Sequence, residues 1–442
     1  MKLLLKWINN VVAFALVSLQ FLCCSPNKTN YEPGVEAITG VVNSMTELMV
    51  NDVTNPPLAA RFFAYTMLAG YEVVSKNDSS VQSFIGKLNS YPVIPKPTIK
   101  NYSWHLAAIC AMLQTASALQ PSGKLLQVKL KAVTDSCYQK GMTQKMIDSS
   151  TAYATIISKA ILAYAKTDGY RNISNFIRYT PQQKEGFWYP TPPGFFSAVE
   201  PYFNRIRSFS FDSAAQFKPL PPVQYNSNKT AAFYKLTKAV YAAHDSLTEE
   251  QKIMAAFWDC NPFALEDEGH LKIGVKKISP GAHWIGITGI VCKAKGVSFS
   301  KALLVHTVLG ITLLDAFLSC WDEKYRSNRI RPESAIRKFI DPGWKPFLQT
   351  PPFPEYPSGH SVISGAAAEI LTHYFGDDVA FTDTTEVPYG AGTRQFKSFR
   401  LAANEAALSR FYGGIHFMDA IDNGLVEGRK IGVHVIEKVI IP

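Results

Sequence analysis

Apolar residues recur at three- and four-residue intervals over residues 35 to 75, 103 to 138 and 142 to 167. The run Ala107, Ala108, Cys110, Ala111, Met112, Ala116 and Leu119 is representative, and its period predicts amphipathic helices with one face turned to a core. The same period returns from Thr230 to His244. Ser246-Leu-Thr-Glu249 then has the form of a capping box that starts a helix running to Trp258. A further helix is predicted from Ser298 to about Tyr325. Its Leu303 to Cys320 stretch is nearly long enough to cross a bilayer, but His306 and Asp315 interrupt it, so it reads as a buried core helix. Alternating strand patterns are scarce.

Helical periodicity fails between Arg178 and Tyr225, where Tyr179-Thr-Pro, Trp188-Tyr-Pro-Thr-Pro-Pro-Gly194 and Pro219-Leu-Pro-Pro222 break any helix. Prolines and aromatics at this density predict an ordered covering segment, because flexible linkers lack aromatics. The chain therefore reads as all-α. A helical region over 25–229, with a Pro-rich connector near 175–228, precedes a catalytic helical domain over 230–442.

Size and charge refine this picture. At 442 residues and 47% hydrophobic content the chain can fill two subdomains or one large composite domain. The formal charge is +10, yet only 18% of residues are charged and no long Lys/Arg run occurs. That argues against nucleic acid, whose partners gather basic residues into stripes, and suits a basic pocket for a small anion.

The start, Met1-Lys-Leu-Leu-Leu-Lys6, an apolar Val11 to Leu22 and then Cys23-Cys24-Ser25, has the layout of an export signal. Residues 1–24 are expected to be a lipoprotein-type leader, with Cys24 (or Cys23) lipidated and Ser25 to Tyr31 as a tether. A plain cleaved secretory signal is the alternative; either places the protein outside the cytoplasm, in the periplasm or cell envelope. Five further cysteines, at 110, 137, 260, 292 and 320, are too scattered for a disulfide framework and show no zinc spacing.

Three segments carry candidate chemistry. In Trp321-Asp-Glu-Lys324-Tyr-Arg-Ser-Asn-Arg-Ile-Arg331-Pro332, a continuous helix would turn Lys324 and Arg331 to one side, with Trp321 one turn before Lys324. In Pro354-Glu-Tyr-Pro357-Ser358-Gly359-His360-Ser361, a turn feeding an alanine-rich helix offers backbone N–H groups, a hydroxyl and the positive end of a helix dipole. Gly359 admits an anion close to the backbone, and His360 follows it as a proton donor or acceptor. In Ser409-Arg410-Phe-Tyr-Gly413-Gly414-Ile-His416, the glycine pair is expected to end one helix at Arg410 and start the next near His416. Together these supply three cations, an N–H cradle and two imidazoles.

These segments resemble the superfamily of type 2 phosphatidic acid phosphatases and vanadium-dependent haloperoxidases. Its signature is Lys-x6-Arg-Pro, then Pro-Ser-Gly-His, then Ser-Arg-x5-His-x3-Asp. Lys324 to Pro332, Pro357 to His360 and Ser409 to His416 match in that order, and the likeness covers about residues 250 to 435. One position departs: Ala420 stands where the family carries an aspartate that supports the last histidine. Asp419 could substitute, or a carboxylate from elsewhere. Asp259, in Phe257-Trp-Asp-Cys-Asn-Pro262, is a candidate supporter or else a plain helix-end residue.

The resemblance implies a helical bundle and one of two chemistries. In the haloperoxidase branch, vanadate is the cofactor, with His416 as the vanadium ligand. Lys324, Arg331, Ser358, Gly359 and Arg410 then hold its oxygens, His360 handles protons, and peroxide oxidises halide. In the phosphatase branch, no cofactor is needed, and His416 forms a phosphohistidine on a phosphoester while His360 protonates the leaving group. The long helical first half, the lack of several membrane spans, and Trp321 and Phe353 as resemblances to the halide-pocket aromatics favour the haloperoxidase branch. An exported acid phosphatase is the alternative, and a lipoprotein that only binds phosphate is a third reading. His283, in Lys276-Lys-Ile-Ser-Pro-Gly-Ala-His-Trp284, could line the pocket mouth with Lys276 or Lys277, or be a packed or surface residue. His105, His244, His270, His306, His373 and His434 are expected to be structural.

Overall fold

Asn55-Pro56-Pro57 cuts the first periodic stretch into two helices, α1 (Val35–Asn51) and α2 (Pro56–Ser75). The Asn55 side chain accepts the Leu58 N–H at 2.9 Å, and the prolines occupy a first turn whose amides need no intrahelical partner. The second stretch is likewise split, into α3 (Trp104–Leu119) and α4 (Leu126–Gln139), and the third is α5 (Gln144–Lys166). The structure, a computed structural model, describes residues 31–441 except 269, 270 and 275. The expected leader with Cys23 and Cys24, and His270, lie outside the described residues.

After the connector come α6 (Ala232–Asp245), α7 (Glu249–Phe257) and a hairpin of β1 (Leu265–Glu268) with β2 (Leu271–Gly274). The remainder is α8 (Pro280–Ala294), α9 (Phe299–Ser327), α10 (Pro332–Phe339), α11 (Gly359–Phe375), the β3 (Phe381–Asp383) and β4 (Arg394–Phe396) hairpin, α12 (Phe399–Tyr412) and α13 (Met418–Val435). The capping box at α7 is formed by Thr248 and Gln251, not by Ser246 and Glu249: Thr248 is extended while the Ser246 hydroxyl is spent on the carbonyls that end α6.

Helix α9 is the spine, about 44 Å long at 1.5 Å per residue, and α2, α8, α11 and α13 pack around it. It is apolar and long enough to cross a membrane, but 94% of its most apolar window is buried inside the protein. Both polar interruptions find partners there: His306 Nδ1 lies 2.7 Å from the Ala302 carbonyl, although its Nε2 has no partner among the described residues, and Asp315 accepts the Phe209 and Ser210 N–H groups at 2.7 and 2.8 Å. Asp315 thereby ties the connector to the spine. The connector's other anchors are short as well: the Val199 carbonyl accepts from Trp321 Nε1 at 3.1 Å and from the Tyr325 hydroxyl at 2.6 Å. One apolar cluster runs from Ile38 to Val439, drawing on both sides of position 229.

The contact that positions the site is α11 against α13. Gly424, Gly428 and Gly432 recur every four residues and so form one face of α13. A β-carbon at Gly428 would stand 2.1 Å from the Val362 carbonyl oxygen, so the two backbones meet with no side chain between them. This close approach lets the Ser358 N–H donate to the Ala420 carbonyl at 3.0 Å, fixing the start of α11 beside the start of α13.

Candidate active site

Lys324 and Arg331 do not share a helix. α9 stops at Ser327, Asn328 takes the left-handed conformation (φ 50°), and Arg331 is the extended residue before Pro332, which opens α10. The reversal nevertheless returns Arg331 to the end of α9. Both are fully buried.

The Lys324 ammonium has three donors and three carbonyl acceptors, those of Pro354 and Glu355 at 3.1 Å and of Pro357 at 2.5 Å. It therefore braces the loop that leads into α11 and contributes its charge, not a free donor, to the cavity. Burial pushes its pKa down to about 8.

Arg331 donates from Nε to the Phe353 carbonyl at 2.9 Å and from Nη1 to the Ile415 carbonyl at 3.0 Å, with His416 Nε2 3.1 Å from the same Nη1. Arg410 donates to the Trp258 carbonyl, and its Nη2 lies 3.6 Å from Asp259 Oδ1. Asp259 thus faces the third cation of the site, with Lys277 3.3 Å away on its other oxygen. Nη2 of Arg331 and Nε of Arg410 are buried with no hydrogen-bond partner among the described residues. Two arginine donors held dry and unpaired are costly unless an anion meets them.

Ser358 is the N-cap of α11 and accepts the Ser361 N–H at 3.4 Å, so its N–H is spent on Ala420 and only its hydroxyl proton can reach an anion. The helix leaves the N–H groups of its first turn, at Gly359 and His360, without intrahelical acceptors. His360 lies 3.4 Å from Arg410 Nη1 through its Nε2. Burial, then the Arg410 and His416 charges, hold its pKa well below the usual histidine range.

His416 occupies the connection between α12 and α13. Gly414 takes φ +75°, a turn that closes α12 and turns the chain back on itself. Its Nδ1 lies 2.9 Å from Glu355 Oε1, which also accepts the Phe417 N–H at 3.0 Å. Burial first, then Arg331, Lys324 and Arg410, hold its pKa well below normal. With Nδ1–H donated to the carboxylate, Nε2 carries a lone pair toward Arg331 and the cavity.

The carboxylate that orients His416 is therefore Glu355, and Asp419 does not take that place. Asp419 chelates the Arg329 guanidinium at 2.6 and 2.9 Å, and Arg329 Nε reaches Glu355 Oε2 at 2.6 Å. The relay runs Asp419, Arg329, Glu355, His416. Neither Glu355 nor Arg329 is singled out by the motif spacing, yet Glu355 had a signal: it is the only acidic residue between Asp341 and Glu369.

One small cavity gathers part of this set, without Lys324, Arg331 or Ser358 in its lining. Gly359, His360, Arg410 and His416 line it together with Trp321 and Phe353, whose rings lie 5.0 Å apart. His283 is not at its mouth: it is fully buried behind the Trp258 ring, its Nε2 2.7 Å from Asp383 Oδ2. Lys276 stands exposed and is not among the residues that line the cavity.

Comparison with known proteins supplies the class. Residues 304–440 match the family described as the VCPO second helical-bundle domain. A solved bacterial vanadium-dependent iodoperoxidase is 41% identical over 93% of this chain and 97% of its own, with a TM-score of 0.87. The chain belongs to the vanadium-dependent haloperoxidase family. Apo and holo forms of a bacterial vanadium-dependent chloroperoxidase, each 16% identical, share the fold with TM-scores of 0.64 and 0.63. They cover 88% and 94% of this chain, and 95% and 94% of their own. No curated protein matches. As a haloperoxidase-type enzyme, the chain has the all-α helical-bundle architecture of the family, and its matched region holds all three motif segments.

Proposed function

We propose that this enzyme oxidises iodide with hydrogen peroxide at a vanadate bound among Lys324, Arg331, Ser358, Gly359, Arg410 and His416. The observation that carries the reading is His416: a neutral imidazole, held through Nδ1 by Glu355, with Nε2 turned to a cavity edged by unpaired arginine donors. That donor set suits a tetrahedral oxyanion whose central atom takes a nitrogen ligand. Iodide is favoured because the iodoperoxidase shares 41% of its residues with this chain, and because a large, soft anion suits the Trp321 and Phe353 rings.

When bound, vanadate activates peroxide for two-electron transfer to the halide; the balance is I⁻ + H₂O₂ + H⁺ giving HOI and H₂O. The chain's own part is electrostatic and protonic. Arg331 and Arg410 neutralise anionic oxygens in a dry site, Lys324 adds charge from beneath, and the Gly359 and His360 amides supply donors at the helix start. His360 Nε2, neutral and beside Arg410, is the group that would accept a proton from peroxide and return one to the oxygen leaving as water. Export through residues 1–24 with lipid on Cys24 completes the reading, and palmitate labelling lost in Cys24→Ala tests it.

The test is a side-by-side assay of vanadate-stripped protein. Triiodide formation from iodide and peroxide should appear only on adding vanadate and should be suppressed by phosphate. Hydrolysis of p-nitrophenyl phosphate without halide oxidation would instead favour the phosphatase branch.

A further inference from the structure

Cys260, His283 and Glu386 come from the loop after α7, the first turn of α8 and the turn between β3 and β4. They are 23 and 103 residues apart along the chain, so no spacing motif announces them. The fold brings Cys260 Sγ to 3.6 Å from His283 Nδ1 and 3.9 Å from Glu386 Oε1, with 3.3 Å between Nδ1 and Oε1. All three are buried.

This triangle has the dimensions of a coordination site. A tetrahedral ion with bonds of about 2.3 Å to sulfur and about 2.0–2.2 Å to nitrogen and oxygen spaces nitrogen and oxygen about 3.3–3.6 Å apart and sulfur about 3.5–3.7 Å from either, so two edges match and the 3.9 Å edge from Cys260 to Glu386 must shorten slightly on binding. As a hydrogen-bonded cluster it is poor: the buried Glu386 side chain has only these two partners among the described residues, both at long distance. The far side of the imidazole is also prepared. His283 Nε2 meets Asp383 Oδ2 at 2.7 Å, and Asp383 is fixed by the Thr385 N–H and hydroxyl at 2.9 and 2.7 Å. A carboxylate behind one ring nitrogen, with the other facing a thiol and a carboxylate, is the arrangement that orients a metal-ligating histidine.

We propose that Cys260, His283 and Glu386 bind a zinc-type divalent cation, with Asp383 orienting His283 and a fourth position left to water. Binding forms the S–metal, N–metal and O–metal bonds, with release to solvent of the thiol proton and of the proton that His283 Nδ1 shares with Glu386. Nothing is oxidised or reduced. The cation would stiffen Trp258-Asp259-Cys260, whose Trp258 carbonyl and Asp259 carboxylate both hold Arg410. It is thus a structural brace beside the oxyanion cradle, whose cavity Cys260 also lines, and its existence does not depend on which reaction the cradle runs.

The experiment uses full-length protein stripped with a chelator and reloaded with Zn²⁺ or Co²⁺. A single zinc ion per chain should be retained through dialysis, Tm should rise on zinc loading, and Co²⁺ should give thiolate charge-transfer absorption in the near ultraviolet. Cys260→Ser should lose all three effects, whereas Cys292→Ser, at the far end of α8, should keep them. A wild-type protein that retains no zinc and shows no cobalt–thiolate band overturns the proposal, even if Cys260→Ser fails to fold. A band that survives in folded Cys260→Ser overturns it equally.

Discussion

Glu355 accepts the Nδ1–H of His416 at 2.9 Å, so a glutamate in the loop before α11 supports the last histidine of the motif. The start of α13, where that support was expected, instead supplies Asp419 at one remove, through Arg329. The order of the relay makes the two carboxylates unequal. Glu355→Gln should weaken vanadate binding about 10–100-fold, because it loses the charge that raises imidazole basicity and sets an amide against Arg329. Asp419→Asn should cost less, since Arg329 keeps its 2.6 Å bond to Glu355. Vanadate titration of the variants checks this; equal losses would contradict the relay.

The pH dependence of vanadate affinity has two limbs with opposite signs. Lys324, held near 8 in the anion-free protein by burial, must be charged to bind, so affinity is full below that value and falls as pH rises through it. His416 must be neutral, so affinity falls only as pH drops below its depressed pKa, well under the usual histidine range. Dissociation constants measured across pH should therefore be flat around pH 6–7, within the normal histidine range, and weaken above about 8. A loss centred at the ordinary histidine pKa would contradict the neutral, buried His416.

Arg410→Lys keeps a positive charge but cannot span the Trp258 carbonyl, Asp259 and the cavity together. The loss of a charge-assisted hydrogen bond is worth about 1.5–3 kcal/mol, or roughly 10–150-fold in vanadate affinity. Iodide KM should move less than vanadate affinity, because Trp321 and Phe353 are untouched. Wild-type vanadate affinity in this variant would remove Arg410 from the cradle.

Gly428→Ala tests the packing that sets the cradle. Its β-carbon would collide with the Val362 carbonyl, which is backbone and cannot swing away, so α11 and α13 must separate. Denaturant unfolding should show a loss of about 1–3 kcal/mol or more, with weaker vanadate binding in the folded fraction. Unchanged stability would mean that the helices do not meet so closely.

The helical architecture was legible from apolar spacing, and the three motif segments supplied the residues that the fold brings near one another. What spacing could not convey was where helices stop. A period of three to four residues continues across Asn55-Pro56-Pro57, where the backbone breaks; at Asn328 the predicted end near Tyr325 is close to the observed Ser327, and Lys324 and Arg331 converge across that break and not along one helical face. The roles of Glu355, Arg329 and Asp383 also lay beyond it. Each acts through contacts between residues far apart in the chain, and a one-dimensional pattern records no such pairing. Ala420 was conspicuous for the side chain it lacks, while its contribution is a backbone carbonyl that accepts from Ser358.

The central claim is that Nε2 of His416 keeps its lone pair on the cavity side, where it meets Arg331 and can exchange that contact for a bond to vanadium. Anomalous diffraction from crystals of vanadate-loaded protein tests it most directly. The account predicts one vanadium per chain bonded to His416 Nε2, its oxygens toward Arg331, Arg410 and the Gly359 amide, with the Glu355–His416 bond intact. Vanadium bound elsewhere, or in the cavity but without a bond to that nitrogen, would contradict it.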